Sequence, residues 1–327
     1  MDGKRLSDLG EVEAIRRILR TLEPVMVEDP CLPIDDDVQA IDGCRIAVKI
    51  DGYSERASRY PWEDPSDWGW RAITGPISDL SAKGYRAVGI VYSLGIPKEE
   101  SFDKVKKIVR GIREALEHYG VPFLGGDLNS SGSETWIDVA AVGILSSPSP
   151  VSRRGAKPGE SVYTTMLNGY GKPGLLYKFY VEGAWQKVSP KLLKFRPRAV
   201  MRFPELLSSL RVSSSMDSSD GLVKTLKAMA EGSKVSIELE RLPVTKQTRK
   251  ILRMHGVDVE HAVLFGGEEY EVVFTSSEDE NEVMGSCGEK GIRCMKIGKV
   301  LRGRGKVYFR GKELVGGWDQ FRGHESP

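Results

Sequence analysis

Short apolar runs alternate with amphipathic stretches of helical spacing along almost the whole chain, and this alternation constrains the fold more than any single motif. Residues 6–22 place Leu6, Leu9, Val12, Ile15, Ile18, Leu19 and Leu22 at helical intervals, ended by Pro24. A loop with Pro30 and Pro33 follows, then a strand at 44–50 that runs into Asp51. Residues 52–66 are polar and aromatic and read as a flexible loop. A helix is expected over 66–83, with Pro76 arguing for a break or kink. Strand 86–94, helix 99–119 and strands 121–124 and 136–145 complete the first half, with a loop at 125–133. The second half repeats the pattern: strands at 161–166, 234–239, 271–275, 292–300 and 306–309, and helices after Met216–Gly221 and over 245–255. Such alternation favours an α/β or α+β fold over all-α or all-β. At 327 residues the chain is long enough for two domains. The Ser-, Pro- and Gly-rich stretch 146–160 is the expected join, dividing the chain into 1–148 and 149–327.

Composition removes several function classes. The chain carries 48 Lys plus Arg against 46 Asp plus Glu, a formal charge of +2, so it lacks the basic excess of a nucleic-acid coat. With 40% hydrophobic residues it is not a disordered chain. No apolar stretch reaches the roughly 18 residues of a membrane helix. The N-terminal stretch carries acids and reads as neither a secretory signal nor a transit peptide, so a cytoplasmic location is expected. Cys31, Cys44, Cys287 and Cys294 make no CxxC pair, and the four histidines make no HExxH or HxH. Free, mostly buried thiols are expected. Any bound metal must therefore be held by oxygens, which points to Asp and Glu ligands and to Mg²⁺.

Acidic residues gather at the junctions between elements: Asp35-Asp36-Asp37, Asp51, Ser78-Asp79, Gly126-Asp127 and Asp217-Ser218-Ser219-Asp220. Carboxylates brought together from such places repel unless cations neutralise them. Taken singly, Asp35, Asp217 and Asp220 read first as helix caps or turn residues, because Asp is a preferred cap. Asp79 stands out, because it falls in an otherwise apolar helical stretch where an unpaired charge is costly. Gly125-Gly126 and Gly266-Gly267 allow close backbone approach to a ligand. Neither a GxxxxGK[ST] loop nor a GxGxxG after a strand occurs.

The order and spacing of LSDLGEVEAI (6–15), IDDDVQAI (34–41), SDLSAKG (78–84), LGGDLNSSG (124–132), SRRGAKPGE (152–160), MDSSDGL (216–222), FGGEEYEVVFT (265–275) and GGWDQF (316–321) resemble the thiamine-monophosphate kinase family. That family belongs to the superfamily that includes aminoimidazole ribonucleotide synthetase. The resemblance covers the full length. It implies an N-terminal sheet domain that binds ATP and metal and pairs with a second subunit, and a C-terminal α/β sandwich. The implied reaction converts ATP and thiamine monophosphate into ADP and thiamine diphosphate. The acceptor is already a phosphate oxyanion, so positioning and Mg²⁺ replace a strong general base, and no catalytic side chain is assigned. By position, the implied metal ligands are Asp51, Asp79, Asp127, Asp217 and Asp220, with one or two of Asp35, Asp36 and Asp37. Gly126, Asp127, Arg153 and Ser219 would meet ATP, Arg153 through its phosphate-matching fork. Glu268 and Trp318 would hold the thiamine end.

The chain departs from the family pattern at Lys49 and Ile50, where Ser-Thr is usual, at Ser58 and Arg59, where His-Phe is usual, and at Pro76, where Asn is usual. Two alternatives therefore stay open: another ATP-using reaction of the superfamily on a different small acceptor, and a non-catalytic nucleotide-binding paralogue.

Overall fold

The computed structural model describes residues 5–26 and 30–325. Residues 1–4, at the head of the amphipathic N-terminal stretch, and 27–29, in the loop after Pro24, lie outside the described residues.

The first sheet combines β1 (Gln39–Ile41), β2 (Ile46–Ser54), β3 (Tyr85–Pro97), β4 (Phe123–Ser131) and β5 (Trp136–Leu145) in the order β1-β2-β5-β3-β4. Only the β3–β4 pair is parallel. Before it run α1 (Leu6–Leu9) and α2 (Glu11–Leu22), and after β2 a single turn, α3 (Glu55–Ser58). Helices α4 (Pro65–Ala82) and α5 (Phe102–Tyr119) pack on one another, and α4 also packs on β2, β3 and β5. Ala47, Ile73, Ile77, Ile90, Ile108, Ile112 and Val139 form the core between helices and sheet. The other face of the sheet is uncovered: Val48, Ile50, Val91 and Ile144 are exposed there, and edge strand β4 adds Leu124.

The second sheet has the order β12-β11-β8-β10-β6-β9-β7. Its strands are β6 (Ser161–Thr165), β7 (Ser214–Asp217), β8 (Val235–Leu239), β9 (Val272–Ser276), β10 (Cys294–Arg302), β11 (Val307–Phe309) and β12 (Lys312–Glu313). Between β6 and β7 lie α6 (Lys172–Val181), α7 (Pro190–Leu193) and α8 (Phe203–Leu206). Helices α9 (Leu222–Ser233), α10 (Lys246–Met254), α11 (Val259–Leu264) and α12 (Glu280–Glu289) follow. Leu222, Leu226 and Met229 of α9 pack against Ile237, Val273 and Ile297. A hairpin of β13 (Gly317–Asp319) and β14 (Gly323–Glu325) ends the described chain. Asp319 Oδ2 accepts from the Glu11 amide at 2.8 Å, and Arg322 donates to Ser7 and Asp8 carbonyls, so the two ends of the chain are joined.

Four expectations change. Helix α4 runs through Pro76 without a break, because packing on α5 and the sheet buries every residue after Pro65 and outweighs a local cost of about 3 kcal/mol. The stretch 125–133 is not a loop for most of its length but strand β4, paired with β3 from Phe123 to Ser131. The 52–66 segment holds the end of β2 and the turn of α3, fixed by Arg59 to Glu55 at 2.7 Å and by Trp68 Nε1 to Ser58 Oγ at 2.8 Å. The cysteines are not free thiols. Cys31 pairs with Cys44 and Cys287 with Cys294, with Cα separations of 5.5 and 6.3 Å that lie within bridging range.

Candidate active site

Strand alternation sets the first ligands. In β2, Ala47 is buried and Val48 and Ile50 are exposed, so Lys49 and Asp51 turn toward α4. Asp79 arrives from α4, and Asp217 from the end of β7, which packs on α4. Lys49 Nζ lies between two of these carboxylates, 3.1 Å from Asp51 Oδ1 and 2.9 Å from Asp79 Oδ2. Asp37 completes the group, since its charge acts on Lys49, Asp51, Asp79 and Asp217. This answers the cost expected at Asp79: the charge is buried, and a lysine pairs with it.

Asp217 has no such partner. It is 1% exposed, and among the described residues neither of its oxygens accepts a hydrogen bond. Burial raises its pKa to about 7, and the negative charges of Asp37 and Asp51 add to this against the nearby Ser78 hydroxyl and Lys49. Burial and Asp217 together raise Asp79 well above the carboxylate range, against the pull of Lys49. The cluster is thus short of positive charge. Its donors are all carboxylate oxygens, the set a hard divalent ion such as Mg²⁺ takes. An orphaned buried carboxylate and an oxygen donor set fit such an ion. Yet among the described residues no three acidic, histidine or cysteine side chains converge into a ready coordination shell.

The remaining acidic positions divide. Asp36 is fully engaged: Lys83 Nζ lies 2.9 Å from Oδ1, and Oδ2 accepts from Ser152 Oγ and, at 3.2 Å, from the Arg153 amide. Burial opposes its ionisation, but Lys83 and Ser152 prevail and hold its pKa low. Lys83, fully buried, also lies 2.8 Å from Asp37 Oδ2 and donates to the Ser215 carbonyl at 2.6 Å. Asp220 pairs with Lys224 at 2.8 Å, and its charge still reaches Asp51. Asp127 is not brought to the cluster within one chain. It is in register with Ser93, Asp138 and Gly52, so it lies on the sheet face opposite Asp51. Its Oδ2 accepts from Asn129 at 2.7 Å. Gly126 is paired with Tyr92 on the same edge strand, where a Cβ would stand 2.8 Å from the Tyr92 carbonyl.

Arg153 leans on the acidic loop, 3.3 Å from Asp37 Oδ1 and donating to the Asp35 carbonyl, and Arg154 reaches Asp35 Oδ1 at 2.5 Å. Ser219 lies in the turn after β7, where its carbonyl accepts from the Glu268 amide. That bond, with Tyr270 N to Ser218 O at 2.9 Å, knits the turn to the loop carrying Glu268.

Glu268 lines a cavity of about 640 Å³ together with Tyr60, Trp62, Arg71 and Trp185. It has a left-handed backbone, with φ 56°, as has Tyr270 with φ 51°. Such strain in non-glycine residues gathers at functional loops. Arg71, 1% exposed, bonds Glu268, both oxygens of Glu63 (2.9 and 2.8 Å) and the Ser58 carbonyl. Burial raises the pKa of Glu268, and Arg71 opposes it. Tyr60 stacks on Trp62, which meets Trp185 at a 5.5 Å centroid separation. Trp318 does not line this cavity. It sits in the terminal hairpin, beside the contacts that hold Asp319 and Arg322 to the N-terminal helices.

Arg71, Gly75 and Asp79 follow at intervals of four on α4 and so share one stripe. The stripe links cavity to cluster over about 12 Å. At its middle, Gly75 admits the Tyr53 hydroxyl, and a Cβ there would stand 2.2 Å from that oxygen and 3.1 Å from Asp51 Oδ2. Sequence reasoning missed Arg71, Glu63, Tyr60, Trp62, Trp185 and Lys83. Arg71 had a signal, since it interrupts an apolar helix just as Asp79 does.

Residues 35–145 match the family described as AIR synthase related protein, N-terminal domain, and residues 177–310 match its C-terminal domain. The thiamine-monophosphate kinase of Pyrobaculum calidifontis is 32% identical over 291 residues, spanning 88% of this chain and 91% of that protein. That of Aquifex aeolicus is 27% identical over 322 residues, spanning 97% and 100%. The solved structure of AaThiL complexed with AMPPCP and TMP superposes with a TM-score of 0.84 at 26% identity, covering 98% of this chain and 100% of that one. The two-sheet architecture is therefore that of the AIR synthase-like fold, and the chain belongs to the thiamine-monophosphate kinase family.

Proposed function

We propose that this protein transfers the γ-phosphoryl group of ATP directly to the phosphate of thiamine monophosphate, yielding ADP and thiamine diphosphate. The observation that carries the reading is the α4 stripe, which joins a cavity with aromatic walls and a buried carboxylate to a cluster of aspartates. Tyr60, Trp62 and Trp185 offer flat faces to a cationic heteroaromatic ring, and Glu268, held by Arg71, offers it a negative charge. Arg153 and the turn at Ser219 flank the cluster on the nucleotide side. The acceptor is an oxyanion, so these residues need only bind, orient and exclude water. Mg²⁺ would be held by Asp217 and Asp37 with an oxygen of either Asp51 or Asp79, with Asp220 close by, and would neutralise charge on the transferring group. Asp36 ties the loop instead.

The uncovered face of the first sheet supports a homodimer, because a continuous apolar patch of this kind marks an interaction surface. In that assembly Asp127 and Gly126, on the same sheet, would reach nucleotide only across the pair. Among the described residues no helix is long and apolar enough to cross a membrane. Use of ATP supports a cytoplasmic site of action.

The test is ADP release by the purified protein with ATP and Mg²⁺, with and without thiamine monophosphate, and identification of the product by chromatography. Acceptor-dependent ADP and a diphosphate product are expected, and turnover indifferent to the acceptor would refute the reading. A second reading, a different small phosphorylated acceptor, draws on Ser58 and Arg59. Both are spent on internal bonds, Ser58 to Ser54 and Trp68, Arg59 to Glu55 and Glu63. A panel of phosphates in the same assay separates the two.

A further inference from the structure

We infer that the Lys49 ammonium is a resident cation of the aspartate site, holding the gap between Asp51 and Asp79 that a divalent ion would otherwise bridge. The inference rests on reading the cluster as the cation site and adds how many divalent ions it loads. Lys49 is not a surface lysine that happens to lie near acids. It sits on the inward face of β2, two residues before Asp51, and its side chain is only 18% exposed. Its Nζ bonds one carboxylate from its own strand and one from α4, at 3.1 and 2.9 Å. A Mg²⁺ ion draws its oxygens to about 2.0–2.1 Å, so carboxylates spaced around an ammonium stand too far apart to share one. This is why no three such side chains converge among the described residues although four carboxylates face one another.

A second lysine repeats the device. Lys83 lies between Asp36 and Asp37 at 2.9 and 2.8 Å, with no exposure. Two ammonium groups thus serve four of the five carboxylates, and among the described residues neither oxygen of the fifth, Asp217, accepts a hydrogen bond. A divalent ion is needed at Asp217, whereas the Asp51–Asp79 pair already shares a tethered positive charge that spaces it. The tether also explains how these two carboxylates hold their positions before nucleotide arrives.

The test counts Mn²⁺ bound to the full-length protein, by titration calorimetry and by the electron paramagnetic resonance signal of free Mn²⁺. Lys49→Ala is expected to bind one more Mn²⁺ than wild type, or to bind at least about tenfold tighter. Lys49→Arg, which keeps the charge, is expected to stay at the wild-type count. Equal counts and affinities in wild type and Lys49→Ala overturn the assignment, as does a gain in Lys49→Arg equal to that in Lys49→Ala. Absence of Mn²⁺ binding in all three proteins overturns the cation site itself and the assignment with it. Anomalous diffraction from Mn²⁺-soaked wild-type crystals tests the same point without a variant. The expected map has Lys49 between Asp51 and Asp79 and Mn²⁺ elsewhere, and a Mn²⁺ peak bonded to both carboxylates overturns the proposal.

Discussion

Asp217 and Lys83 are opposite cases of a buried charge. Among the described residues Asp217 has no hydrogen-bond partner, so Asp217→Asn should lower acceptor-dependent turnover by at least ~10²-fold while leaving the metal-free melting temperature unchanged or higher. A fall of many degrees in the melt would make Asp217 a structural residue. Lys83 is the reverse, because Lys83→Met strands Asp36 and Asp37 and should cost about 3–5 kcal/mol by denaturant titration. Lys172 gives a pH signature. Burial lowers its pKa to about 8 from an ordinary 10.5, so between those values the unfolded state binds more protons and stability rises with pH. Below pH 8 the penalty is complete. Lys172→Met should therefore stabilise the protein at pH 7, by about 1–3 kcal/mol, with the gain fading toward pH 10, in melts at both pH values. The sequence exposed some of this chemistry and hid the rest for a definable reason. Asp51 at a strand end and Asp79 in an apolar helix are anomalies in a local pattern. Lys83 and Glu63 are ordinary surface residues in sequence, and only the third dimension places them at 0% and 8% side-chain exposure.

Helix α4 organises the site, and its placement depends on residues too small to attract notice. At its crossing with α5, a Cβ on Gly111 would stand 1.9 Å from the Ser66 carbonyl, and one on Gly69 would stand 2.4 Å from the Ile108 carbonyl. The helices meet backbone to backbone, so Gly111→Ala should destabilise by about 1–3 kcal/mol in urea titration and lower turnover by shifting Asp79. Most elements were legible because their apolar spacing was regular, as in α5 and β5. Strand β4 was not, because an edge strand whose second half is mostly polar and exposed, with Leu128 its one apolar residue, has no alternation to read. Proline misled at position 76, where burial on all sides overrides a local preference that holds for an exposed helix. The segment from 167 to 213 gave no periodic signal, since its helices are short and its aromatic Trp185 faces a cavity rather than a core.

At the scale of the whole molecule, the apolar outer face and the opposite placement of Asp127 belong together. Val48→Arg should yield a monomer by sedimentation at micromolar concentration, with an unchanged circular dichroism spectrum, and, on the dimer proposed above, should depress turnover, because Asp127 and Gly126 would then lose the nucleotide proposed to lie across the pair. A monomeric wild type would remove the basis of that prediction. Sequence indicated two halves and an approximate join at 146–160, but not what fastens them. One fastening is Lys83, whose ammonium holds the 36–37 loop while donating to the Ser215 carbonyl of the other sheet, and another is Arg71, which bonds Glu268. Swinging the halves apart would pull a buried ammonium away from two buried carboxylates, which is costly. A buried ion pair shared by both halves therefore resists their rigid separation and favours ligand exchange through side chains and loops at the mouth of the cavity.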